Sequence, residues 1–268
     1  METKNYTIMA LPALSDNYIW IISNKEDAIV IDPTLAKPVS QYLQQHNLKL
    51  KAILLTHSHG DHIGGVAELV NIFQPQVIDN FKGQLSDNML FSIDGFPDFR
   101  VITTPGHMYE HVCYLLDSSH LFCGDTLFSL GCGRVFTGDF QAMYNSLNKI
   151  KELVNSISNL PNSNRNTNDA EFKKPILCYP AHEYTMRNYE FTVALDNGNN
   201  EYYEPLLTKI NYRLLTTGSS LPVKLEDELN FNLFLRTSDS RIWPIVGAKA
   251  GVSVDDAFSC LVPNSFRS

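Results

Sequence analysis

The chain has 268 residues, 44% hydrophobic and 19% charged, which suits one large domain or a domain with an appendage. A net charge of −8 speaks against a nonspecific nucleic-acid binder, which carries a basic surface. No apolar run approaches the roughly 20 residues of a membrane span, and the N-terminus lacks the basic start and apolar core of a secretory signal.

In chain order, short apolar runs of strand length recur at residues 6–10, 18–23, 28–31, 51–56 and 76–78. The polar turn at 24–27 makes the second and third of these a hairpin. Helical spacing is expected at 39–46 and again at 63–73, where Ile63, Val66, Ala67, Leu69, Val70 and Phe73 share one face and the helix begins near His62. Strands follow at 100–104, 112–116 and 121–123, then a helix at 142–154. Residues 155–174 are rich in Asn and Ser and read as an exposed loop, after which 175–179 resumes as a buried strand. Beyond His182 the pattern turns helical at 188–195 and 202–217, with Leu206, Leu207, Ile210, Leu214 and Leu215 as one buried stripe. A mixed α/β domain followed by a small helical unit is the expected organisation. The five cysteines, Cys113, Cys123, Cys132, Cys178 and Cys260, form no C-x-x-C pair, which fits reduced thiols and a cytoplasmic setting.

Chemistry concentrates at Thr56-His-Ser-His-Gly-Asp-His62, between an apolar strand and a helix, where a rigid scaffold presents a loop. His57 and His59 can project from an extended segment toward one point, and Asp61 and His62 across a turn toward another. One open tetrahedral zinc needs about four ligands including its water, so four donors crowded this closely, with more downstream, point to two metals. Three further positions place a ligand-type residue directly after a β-like run beside Gly or Pro: Thr104-Pro-Gly-His107, Cys123-Gly-Asp125 and Tyr179-Pro-Ala-His182. Taken singly each is an ordinary loop residue or turn cap. A sheet can bring all three to the edge where the first loop emerges.

With these residues assembled, the chain resembles the metallo-β-lactamase superfamily, whose H-x-H-x-D-H stands here as His57-Ser-His59-Gly-Asp61-His62. Within it the resemblance is to glyoxalase II, the hydroxyacylglutathione hydrolases, through 56–65, Thr104-Pro-Gly-His107, Cys123-Gly-Asp125-Thr126, Gly131-Cys-Gly-Arg134, His182-Glu-Tyr184-Thr185 and Asn232-Leu-Phe-Leu-Arg236. The resemblance implies an αβ/βα sandwich over residues 1–183 and a helical substrate-binding domain over 184–268. It implies that His57, His59 and His107 hold a first metal, Asp61, His62 and His182 a second, and that Asp125 bridges them. The expected cofactors are two divalent metals, zinc foremost, with iron and manganese as alternatives.

By the resemblance, two such ions would share a water and make it a hydroxide near neutral pH, which would attack the thioester carbonyl. Asp61 is a ligand able to accept a proton. The partner the resemblance implies is a small glutathione-type thioester, S-D-lactoylglutathione in the family's usual reaction, and the family is often monomeric. By resemblance Arg134 and Tyr184 contact the glutathione portion, while Phe136 lacks the hydroxyl that some relatives place there. The Arg-x-x-Lys that commonly grips the glycyl carboxylate is replaced by Val262 and Ser265, leaving the thiol carrier open. The alternatives are a one-iron persulfide dioxygenase-like protein, which needs fewer ligands than are present, and another hydrolase of the superfamily.

Overall fold

The computed structural model describes residues 5–156, 174–196, 199–243 and 258. A first sheet runs β1 (Thr7–Ala13), β2 (Asn17–Ser23), β3 (Asp27–Ile31), β4 (Lys49–Leu54) and β5 (Gln76–Ile78) in spatial order. β1, β2 and β3 are antiparallel neighbours, and β4 and β5 continue in parallel. Asn24 closes the β2–β3 turn, its side-chain oxygen accepting from the amides of Glu26 and Asp27.

The second sheet is built from β6 (Leu90–Phe91), β7 (Phe99–Thr103), β8 (Val112–Leu116), β9 (His120–Gly124) and β12 (Leu177–Pro180), with β13 (Val223–Lys224) at its far edge. A two-stranded ribbon, β10 (Leu127–Phe128) and β11 (Gly131–Cys132), follows β9.

Alternation along the strands sorts their side chains into layers. Tyr18, Trp20 and Ile22 of β2 face the second sheet and pack with Phe99, Tyr114 and Phe122. Ile19 and Ile21 of the same strand point the other way, toward helices α1 (Ala36–Gln45) and α3 (Val66–Phe73). On the outer face of the second sheet, Cys113, Leu115, Leu121 and Cys178 meet α4 (Phe140–Ser156) through Met143, Leu147 and Ile150. The order is helix, sheet, sheet, helix, the αβ/βα sandwich.

The C-terminal region supplies α5 (Thr185–Leu195), α6 (Asn200–Thr217), α7 (Leu225–Phe231) and a 3-10 turn, Leu233–Leu235. It also contributes β13, so it adds an edge strand to the second sheet as well as helices. Leu225, Leu233 and Phe234 join the core over α4, while Tyr189, Tyr203, Leu206 and Ile210 form a core between α5 and α6.

Two expectations need correction. The helix expected over 63–73 is two helices, α2 (Gly60–Ile63) and α3, interrupted at Gly64 and Gly65. The loop after β3 presses against this point, and a Cβ on Gly65 would lie 2.5 Å from the amide nitrogen of Ala36. In the leucine stripe of α6, Leu206 and Ile210 are buried, but Leu215 is 86% exposed. At 100° per residue Leu215 lies about 140° around the helix from Ile210, off the buried face.

Two-residue strands such as β10, β11 and β13 carry too little periodicity to be read from sequence. Most of the loop expected over 155–174 falls outside the described residues, as do Val262 and Ser265; its first two positions continue α4.

Candidate metal centre

The C-terminal ends of β3, β4, β7, β9 and β12 open on one edge of the sandwich, bringing together loops that are far apart in sequence. His57 and His59 follow β4, His107 follows β7, Asp125 follows β9 and His182 follows β12. Asp61 and His62 lie in the single turn of α2. The strand ends are stitched across the two sheets where Tyr18 N–H donates to the Ala181 carbonyl at 2.7 Å and the Trp20 indole to that of Pro180 at 2.8 Å.

The ring nitrogens converge in two groups. His59 Nδ1 lies 2.9 Å from His57 Nε2 and 3.0 Å from His107 Nε2. These separations are slightly shorter than the about 3.3 Å edge of a tetrahedron with 2.0–2.1 Å metal–nitrogen bonds. In the second group, His182 Nε2 lies 3.4 Å and His62 Nε2 3.7 Å from Asp61 Oδ2. Asp125 stands between the groups: its Oδ2 is 3.5 Å from His107 Nε2, while its Oδ1 is 3.4 Å from His62 Nε2 and 3.5 Å from His182 Nε2. The seven residues named from the sequence thus lie around one cleft.

Each of four imidazoles is oriented by an acceptor at its far nitrogen. The Thr56 hydroxyl donates to Asp32 at 2.7 Å, so its oxygen accepts from His57 Nδ1–H at 3.0 Å. His62 Nδ1–H donates to Asp32 Oδ2 at 3.0 Å, His107 Nδ1–H to the Arg134 carbonyl at 2.7 Å, and His182 Nδ1–H to Asp16 Oδ1 at 2.7 Å. With Nδ1 so engaged, all four Nε2 atoms point into the cleft, where the neutral ring would present the lone pair a metal ligand requires.

Asp125 is oriented in its turn by His111, whose Nε2 accepts the Asp125 amide at 3.2 Å while Thr104 and Thr126 hold its Nδ1–H. The Asn17 amide donates to Asp61 Oδ2 at 3.1 Å. Gly133 lets the chain pass under the site: a Cβ there would fall 1.8 Å from the Asp125 carbonyl oxygen.

Burial pushes the His57, His107 and His111 imidazoles below their ordinary range. For His62 burial works in the same direction, but the Asp125 and Asp32 carboxylates prevail and hold it well above. The hydrogen bond from His182 holds Asp61 below the usual carboxylate range; burial opposes ionisation of Asp125, yet the His62 imidazole keeps it well below too. Two ionised carboxylates among inward-facing imidazoles make a donor set for cations. His62 Nε2 and Asp125 Oδ1 are buried without a hydrogen-bond partner, which costs about 1–3 kcal/mol per atom unless a ligand completes them. Divalent metal fits both the donor chemistry and these orphaned atoms, and the residues able to hold it group as His57–His59–His107, His57–His62–Asp125 and Asp61–His62–His182.

Beside the cluster opens a cavity of about 490 Å³. Arg134 and Tyr184 line it, the Tyr184 ring stacking on His182 at 4.8 Å. Phe136 sets its ring edge-on to His59 and His107 at 5.2 and 5.3 Å. Arg187, Asn188, Phe191 and Phe234, from the C-terminal region, complete the wall.

Sequence reasoning passes over Asp16, Asn17, Asp32, His111, Arg187, Asn188 and Phe191, and it singles out the segment holding Phe234 without giving that residue a role. Only Asp32 bears a recognisable signal, since Ile31-Asp32-Pro33 repeats the pattern of a ligand-type residue after a β-run beside Pro.

Residues 13–78 match the family model described as metallo-beta-lactamase superfamily, and residues 183–261 match hydroxyacylglutathione hydrolase C-terminus. The hydroxyacylglutathione hydrolase of Vibrio cholerae is 39% identical over 248 residues, covering 88% of each chain. That of Actinobacillus pleuropneumoniae is 37% identical over 242 residues, covering 87% of this chain and 93% of the relative. Among solved structures, ETHE1 from Myxococcus xanthus superposes with a TM-score of 0.58 at 21% identity over 96% of both chains. The BLEG-1 B3 metallo-beta-lactamase gives 0.58 at 20% over 86% of this chain and 99% of the other. At such identities these two structures speak for the fold alone.

Proposed function

The chain belongs to the hydroxyacylglutathione hydrolases of the metallo-beta-lactamase superfamily, and from that premise we propose that it cleaves S-D-lactoylglutathione, or a related 2-hydroxyacyl thioester, to D-lactate and free thiol. It is a thioester hydrolase with a His/Asp metal-binding cluster. The single observation that carries the reading is Asp125, whose two oxygens face different donor groups. In this reading His57, His59 and His107 would hold one ion and Asp61, His62 and His182 the other, with Asp125 standing between them. Zinc is favoured by the imidazole-rich set.

When bound, such ions polarise a carbonyl and make water nucleophilic near neutral pH. The chain's own residues do the rest. Asp16, Asp32 and the Arg134 carbonyl fix the imidazole tautomers, so no reorganisation is needed during turnover. Asp61, steadied by Asn17, stands in the second donor group as a ligand able to accept a proton. The water's oxygen adds to the acyl carbon and the carbon–sulfur bond breaks. The thiol, with a pKa of about 8.5, departs as thiolate without a strong acid. Phe136 and Tyr184 set their rings against histidines on the two sides of the centre, and Arg134 and Tyr184 are the residues we assign to the thiol portion.

We place the boundary between a catalytic unit and a substrate-binding unit at 183/184, supported by the C-terminal family match beginning at 183. A cytoplasmic setting is supported by the four buried free thiols of Cys113, Cys123, Cys132 and Cys178. No helix among the described residues is long and apolar enough to cross a membrane.

The test is hydrolysis of S-D-lactoylglutathione by the purified, metal-loaded protein, abolished by His59→Ala and by chelation. A full metal complement with no activity on any thiol ester would refute it.

A further inference from the structure

Two arginines line the cavity, Arg134 and Arg187. The Arg134 guanidinium lies 5.6 Å from the centre of the Phe136 ring, which in turn covers His59 and His107. Arg187 sits in the first turn of α5, three residues after the N-cap Tyr184, whose ring stacks on His182. One arginine is therefore linked through Phe136 to the first donor group, and the other follows Tyr184 beside the second. The acids among the lining residues, Asp61 and Asp125, are turned toward the donor groups.

In a chain of net charge −8, two guanidinium groups facing one cavity form a local field opposite to that of the whole molecule, suited to an anionic ligand. A glutathione thioester has the matching layout. Its reacting sulfur belongs to the central residue, with one carboxylate on the γ-glutamyl side and another on the glycyl side. Guanidinium suits this task, because its planar fork binds carboxylate through two parallel hydrogen bonds. The C-terminal positions where glutathione-using relatives commonly carry Arg and Lys are Val262 and Ser265, so charge at Arg187 would serve a need the tail does not meet.

Building on the thioesterase reading above, we propose that Arg187 is a specificity-determining residue that pairs with one carboxylate of the thiol carrier while Arg134 takes the other. The enzyme thereby selects thioesters whose thiol bears two flanking carboxylates.

The experiment compares two substrates on the metal-loaded enzyme: S-D-lactoylglutathione, and S-D-lactoyl-N-acetylcysteamine, whose thiol carries no carboxylate. Arg187→Ala is expected to raise KM for the glutathione thioester about tenfold with kcat retained, as loss of one solvent-accessible charge-assisted pair implies. Arg187→Lys is expected to recover part of that loss. On the carboxylate-free thioester, the ratio of wild-type to variant kcat/KM should stay within about twofold. Equal losses on both substrates would assign Arg187 to packing and overturn the proposal, as would an unchanged KM for the glutathione thioester. Either result in an enzyme that still hydrolyses both thioesters overturns this inference alone. Inactivity of the wild type on both overturns the thioesterase reading and this inference with it.

Discussion

Asp32→Asn is nearly isosteric, yet it is expected to dismantle the metal centre from behind. Asp32 is 3% exposed and accepts three hydrogen bonds: Oδ1 from the Thr56 amide at 2.8 Å, and Oδ2 from the Thr56 hydroxyl at 2.7 Å and from His62 Nδ1–H at 3.0 Å. An asparagine offers one oxygen and one NH2 in their place. With the NH2 on the Oδ2 side, it meets two donors; His62 then shifts its proton to Nε2, losing the inward lone pair, and the Thr56 hydroxyl turns and unsettles His57. With the NH2 on the Oδ1 side, it meets the Thr56 N–H in the interior. Each hydrogen bond to a charged acceptor contributes about 1.5–3 kcal/mol, so either arrangement lowers metal affinity by about 10–100-fold. The assay is a chelator titration of the loaded protein, with circular dichroism confirming the fold. The variant should release metal at correspondingly lower chelator concentration, with thioesterase activity falling in step. A folded Asp32→Asn protein retaining both ions as tightly as wild type would refute the reasoning.

Gly133→Ala forces a methyl to 1.8 Å from the Asp125 carbonyl oxygen, so the backbone carrying Asp125 must shift; a loss of about 1–3 kcal/mol, seen as a lower melting temperature, is expected together with reduced metal content. An unchanged melt would contradict it. Glu228 accepts from the Leu130 amide at 2.8 Å and from the Asn232 side chain at 2.9 Å, and burial pushes its carboxyl from 4.5 up to about 7. Between these values the folded protein keeps a proton that the unfolded chain gives up. The stability linked to this carboxyl is therefore full below pH 4.5 and is lost as pH rises through about 7, a total of about 3 kcal/mol. Glu228→Gln should escape that loss. In denaturant unfolding the variant should be more stable than wild type at pH 8, and the gap should close toward pH 4.5; a gap independent of pH would refute the assignment.

Strands β2, β3, β4 and β8 are legible as apolar or β-branched runs, because the alternation that buries Tyr18 and Trp20 on one face and Ile19 and Ile21 on the other is a property of the local chain. The two-residue strands and the break at Gly64–Gly65 are not, since each answers to a neighbour distant in sequence: β13 to β12, and Gly65 to the loop carrying Ala36. Leu215 shows the limit of a stripe drawn by residue type, for a leucine one step past Leu214 has already left the buried face. His111 is likewise opaque. It lies four residues after His107 and is chemically identical, but it faces the Asp125 backbone with both ring nitrogens engaged by protein groups.

The amino-acid sequence by itself determined the inventory of donors, the strand ends that carry them and the family to which the chain belongs. These rest on spacing and local periodicity, which any short stretch displays. Only the tertiary structure decided which donors face one another, that Asp125 turns one oxygen to each group, that Asp32 orients histidines on both sides, and that Arg187 from the C-terminal region reaches the same cavity as Arg134. The reason is physical: an imidazole becomes a ligand only when a partner at its far nitrogen fixes the tautomer, and here Asp16, Asp32 and the Arg134 carbonyl do so from segments brought close by the packing of two sheets.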